Sequence, residues 1–62
     1  MSELWNARTC KVYCMAWDAY ESSALGYEAA EGVFARERER GVISTLEYAY
    51  LIDLFWETAR IY

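Results

Sequence analysis

Between Glu3 and Arg40 the apolar residues recur at helical and not at alternating spacing. Stepped at about 100° per residue around an axis, Trp5, Thr9, Val12, Tyr13, Ala16, Tyr20, Ser23, Ala24, Tyr27, Ala30 and Phe34 gather on one side. Arg8, Lys11, Asp18, Glu21, Ser22 and Glu28 gather on the other. The pattern predicts one long helix over about residues 3–40, a turn over 41–44 and a shorter helix over about 45–61. Gly41 is placed to take the left-handed conformation that closes a helix, with Val42 packing back on the last turn. Arg36, Arg38 and Arg40 favour the same end electrostatically. Ser44-Thr45-Leu46-Glu47 then reads as a capping box: the Ser44 hydroxyl accepts from the Glu47 amide, and the Glu47 carboxylate accepts from the Ser44 amide. Ile43 and Tyr48 flank it as a hydrophobic staple.

The two predicted helices are unequal, about 57 Å against about 25 Å at a rise of about 1.5 Å per residue. The short arm covers only Tyr20 to Arg40 of the long one, so Trp5, Val12, Tyr13 and Ala16 need another cover. Either the long helix bends near Ser22, Ser23 and Gly26 to fold back as a third helix, or a second chain covers it. The second chain is preferred, because a Ser-Ser pair without Pro, Asn or Asp nearby is a weak turn signal. The short helix points the same way, with Tyr48, Ile52, Phe55, Ala59 and Tyr62 on one side and Tyr50, Leu54 and Ile61 nearly opposite.

The expected fold is therefore all-α: a helical hairpin with a long first helix and a short second helix, assembling as a dimeric helix bundle, with one domain over residues 1–62. Trp5, Val12, Tyr13, Ala16, Tyr20, Ser23, Tyr27, Tyr50, Leu54 and Ile61 are the expected self-association residues. The small residues Ala16, Ala19, Ser23, Gly26 and Ala30 would let backbones approach, and Arg60-Ile61-Tyr62 is expected to dock.

Composition strengthens the case for self-association, since 56% apolar and 18% aromatic residues exceed what the small core of a 62-residue chain easily hides. Ten carboxylates against six basic residues leave a net charge of −4, which argues against a general nucleic-acid binder. No run approaches the roughly 18 apolar residues of a membrane span, and Met1–Asn6 has no basic region leading into an apolar stretch. The expected location is cytoplasmic.

Chemistry is sparsely represented. Cys10 and Cys14, four apart, are half a zinc site at most in a chain without His, and read as small, partly buried packing residues. Neither metal nor cofactor is expected, and without His or a general-base partner for Ser or Thr, enzyme activity is not expected either. The run Arg36-Glu37-Arg38-Glu39-Arg40 alternates in sign, as a solvated helix end or a docking patch does. A helix-turn-helix would present Glu47, Tyr50, Asp53, Leu54 and Glu57 where base-reading residues belong. Apolar residues off the stripe, Leu4, Met15, Trp17, Leu25 and Val33, are the candidate anchors for a partner. With Arg36, Arg38 and Arg40, the first four form the candidate partner site, to which Tyr50 and Leu54 belong if self-association leaves them open.

As a whole, this small, acidic, helical chain resembles the accessory proteins of temperate bacteriophages. More particularly, it is similar to the short helical products of the lambdoid early region between the exonuclease and excisionase genes. That resemblance implies a role in phage development, biasing the lytic or lysogenic course by acting on a host factor, and it carries over no functional residue. The leading expectation is a non-enzymatic protein-interaction module, a phage regulator with a host protein as partner and a homodimer or higher oligomer as its state. The alternatives are an acidic inhibitor that imitates DNA, with Asp18, Glu21, Glu28 and Glu31 as its array, and, third, a small DNA-binding regulator.

Overall fold

The computed structural model describes residues 3–61. It contains three helices, α1 (Ala7–Ser22), α2 (Tyr27–Glu39) and α3 (Thr45–Ile61), and so corrects the expected two-helix hairpin. The predicted long helix is broken over residues 23–26, where the chain folds back as the less favoured reading had it. The Ser22 hydroxyl donates to the Asp18 carbonyl at 2.8 Å, and Ser23 leaves the helix in an extended conformation. Ser23 then accepts the Leu25 amide on its hydroxyl and the Gly26 amide on its carbonyl. Gly26 completes the reversal at φ +59°, ψ −115°, a backbone state that side chains strongly oppose. The Ser pair was thus a turn signal, read through hydroxyl hydrogen bonds and one glycine instead of through Pro or Asn.

Once folded back, α2 supplies the cover for α1. Val12, Ala16, Ala30, Val33, Phe34, Ile43, Leu51, Phe55 and Ala59 form the buried core. Ala16 and Ala30 are fully enclosed, which keeps the α1–α2 contact close. Val33, read as a flank residue from the sequence, belongs to this core. Phe55 is its aromatic centre: the Tyr13, Trp17, Tyr20, Tyr27 and Phe34 rings surround it at centroid distances of 4.6–6.1 Å. Each such pair adds about 0.5–1.5 kcal/mol to the burial of its area. The aromatic surplus is therefore largely consumed within one chain. The second apolar line of α3 is also partly covered by its own chain, since Trp5 meets Tyr50 edge-on at 6.5 Å.

Those contacts remove the reason for a second chain over Trp5, Val12, Tyr13 and Ala16. Of the other expected self-association residues, Tyr20 and Tyr27 pack against the core, Ser23 forms the turn and Leu54 is half-buried. Ile61 is 85% exposed, so the docking expected of Arg60-Ile61 is not seen, and the placement of Tyr62 on the inward face of α3 lies outside the described residues. Cys10 and Cys14 are free and both exposed, which corrects their reading as partly buried packing residues. No helix among the described residues is long and apolar enough to cross a membrane.

Candidate functional site

The site is built on two helix starts. Asn6 caps α1: its side-chain oxygen accepts from the Arg8 and Thr9 amides, each at 3.0 Å, while the Asn6 amide donates to the Thr9 hydroxyl at 2.8 Å. Ser44 and Glu47 form the predicted reciprocal box at the start of α3, with Ser44 N–H to Glu47 Oε1 at 2.8 Å and Glu47 N–H to Ser44 Oγ at 3.1 Å. The two boxes are joined, because the Asn6 side-chain amide donates to Glu47 Oε2 at 2.9 Å. Arg8 reaches the same oxygen at 3.3 Å and also donates to the Val42 carbonyl at 3.2 Å. The Glu47 carboxyl is held below its ordinary pKa by the Ser44 backbone N–H first and the Asn6 amide next; burial opposes the shift and Arg8 adds to it.

The end of α2 meets this junction through a Schellman turn. Val42 N–H bonds to the Glu37 carbonyl and Gly41 N–H to the Arg38 carbonyl, each at 3.0 Å, with Gly41 at φ +79° as predicted. The turn buries Glu37, whose carboxylate accepts from Arg40 at 3.2 Å. No buried side-chain polar atom among the described residues is left without a partner.

Between the start of α1 and the end of α2 lies an open cleft of about 340 Å³, lined by Arg8, Lys11, Val12, Met15, Glu37, Arg40 and Val42. Val12, Met15 and Val42 give it an apolar floor, and Arg8, Lys11 and Arg40 a cationic rim. Pairing leaves the Arg8 and Arg40 side chains 61% and 63% exposed, and Lys11 takes part in none of the ion pairs of the described residues. Every basic residue except Arg60 lies at this end of the molecule. Glu3, Glu37, Glu39 and Glu47 nearly balance them there, whereas Asp18, Glu21, Glu28, Glu31, Asp53 and Glu57 lie along the remainder of the three helices with Arg60 as the one cation, so the chain has an acidic pole opposite the cleft.

Of the expected partner-site residues, Met15 and Arg40 come together in the cleft. Arg38 stacks over the Tyr48 ring at 4.2 Å and so clamps α2 to α3, and Trp17 is half-buried among the rings around Phe55. Leu4 is half-buried, Arg36 is exposed beyond the cleft, and Leu25 is exposed at the opposite turn. Sequence reasoning missed Arg8, Lys11, Glu37 and Val42 as one surface, because no local pattern records which helix ends become neighbours. It also missed the Asn6 cap, for which the Asn6-Ala7-Arg8-Thr9 spacing was an available signal. Among the described residues no group of three His, Cys, Asp or Glu side chains is placed to hold a metal ion. Comparison with protein-family models, curated proteins and solved structures finds no match for the chain.

Proposed function

We propose that the chain is a non-enzymatic protein-interaction module whose cleft between α1 and α2 receives an acidic segment of a partner protein carrying an apolar side chain. The observation that carries this reading is the cationic rim around an apolar floor in a chain whose net charge is −4. The Arg8 and Arg40 guanidinium groups retain N–H donors beyond those used on Glu47 and Glu37, and Lys11 adds a charge with no ion-pair partner among the described residues. Carboxylates on the partner would be steered and oriented by the rim, while affinity would come from burying its apolar side chain against Val12, Met15 and Val42. In the phage setting that the sequence resemblance implies, the partner would be a host protein and the outcome a bias in phage development.

The test is anisotropy of a labelled peptide of alternating Glu and Leu residues, titrated with the wild-type chain, with Lys11→Glu and with Met15→Ser. Both positions are exposed and lie outside the capping network, so the fold should survive. Each substitution should weaken binding about tenfold. Equal affinity for all three proteins would remove the cleft from the reading.

A further inference from the structure

At the acidic pole, Trp56 is held in an unusual way for a surface residue. Its indole lies flat on the Tyr27 ring, with centroids 4.3 Å apart and planes within 7°. Its Nε1–H donates to Glu31 Oε2 at 3.2 Å. One face is therefore covered and the edge is pinned across two helices, yet Trp56 remains 44% exposed. With one face on Tyr27 and Nε1 engaged, the exposed area is left to the other face and the outer edge of the ring, held in a fixed orientation. Asp53 and Glu57 are exposed near neighbours of Trp56 along α3, and Glu28 lies one turn before its partner Glu31 on α2. The nearest cation in sequence, Arg60, is engaged with Glu57 at 3.0 Å, and among the described residues no guanidinium stacks on Trp56.

We propose that the Tyr27–Trp56 stack is a second docking surface, on which an arginine side chain of a basic protein segment lies over the open indole face while the surrounding carboxylates pair with the same segment. Charge selects this occupant. A pole of Asp18, Glu21, Glu28, Glu31, Asp53 and Glu57 opposed by Arg60 repels an acidic partner, and the electron-rich face of an indole is the strongest aromatic acceptor for a planar cation. The Glu31 hydrogen bond and the Tyr27 stack hold the ring before the partner arrives, so little side-chain freedom remains to be lost on binding. This surface is separate from the basic cleft and does not depend on it.

The experiment titrates a labelled arginine-rich peptide into the wild-type chain, Trp56→Ala, Trp56→Phe and Lys11→Glu. Trp56→Ala should weaken binding about tenfold. Trp56→Phe keeps a ring on Tyr27 and should retain part of the affinity, and Lys11→Glu should not weaken it. In the wild type the indole Nε1–H resonance of Trp56 should shift on titration more than those of Trp5 and Trp17, a readout that does not require the variants to fold. An unmoved Trp56 resonance would overturn the proposal, as would equal binding by a folded Trp56→Ala. Equal affinity for a lysine peptide and an arginine peptide, lost in parallel as salt rises, would reduce the surface to general charge attraction and overturn it also.

Discussion

Replacing Glu47 removes the joint between the two helix starts, and the cost can be worked from its bonds. In Glu47→Ala the Ser44 amide loses its acceptor and the Asn6 amide loses its long-range partner. A helix cap is worth about 1 kcal/mol, and a hydrogen bond to a carboxylate in so enclosed a place about 1.5–3 kcal/mol. Arg8, 61% exposed, rehydrates and adds little. The expected loss is about 3 kcal/mol, which for so small a domain lowers the melting temperature by about 12–24 °C. Urea unfolding followed by circular dichroism measures it. Glu47→Gln, which keeps an acceptor oxygen and loses the charge, should fall between the wild type and Glu47→Ala. The pH dependence has a definite sign. Because folding lowers the Glu47 pKa from an ordinary value of 4.5, its charge stabilises the fold fully above that pH and progressively less as pH falls through the folded-state pKa. The gap between wild type and Glu47→Gln should therefore be widest at neutral pH and close below about pH 4.5. A loss under about 1 kcal/mol in Glu47→Ala would refute the account, as would a gap that widens in acid.

Two further outcomes follow from the turns and the surface. Gly41→Ala should destabilise by about 1–2 kcal/mol through backbone strain alone, because φ is +79° there and an added Cβ meets nothing within 4 Å; calorimetric melting checks it, and an unchanged midpoint would count against the Schellman geometry. Cys10 and Cys14, being exposed, should both react with an aromatic disulfide reagent in the native state at rates close to those in urea. Protection of either thiol would show that this side of α1 is covered in solution.

The short helix was legible to its ends, Thr45–Ile61, because its start and the turn before it are set by local chemistry at Gly41, Ser44 and Glu47. The break over residues 23–26 was not, for a geometric reason. Numbered continuously at 100° per residue, the buried face of α2 falls within roughly 40° of that of α1, so the turn preserves helical phase and the stripe runs through it without a step. Beyond the local bonds of Ser23 and the positive φ of Gly26, what favoured breaking was non-local, the burial of Val12 and Ala16 in the shared core and the packing of Tyr13 on Phe55. The cleft inherits that difficulty. Arg8 and Lys11 read as one solvated face and Arg40 as another helix end until the reversal sets them side by side.

The separation of charge along the helices has an electrical consequence. The 17 residues of α3 rise about 25 Å from the neighbourhood of Arg8 toward the acidic end, whereas mobile ions at physiological strength damp a field over about 8 Å. In dilute buffer the net charge of −4 acts from a point displaced toward the acidic end, and the molecule should rotate into register before touching a charged body. Under physiological salt that long-range torque disappears, and the acidic end and the nearly balanced cleft end behave as electrically independent surfaces. A charge acquired at one end would then leave the potential at the other almost unchanged, and any influence between them would have to pass through the packing around Phe55.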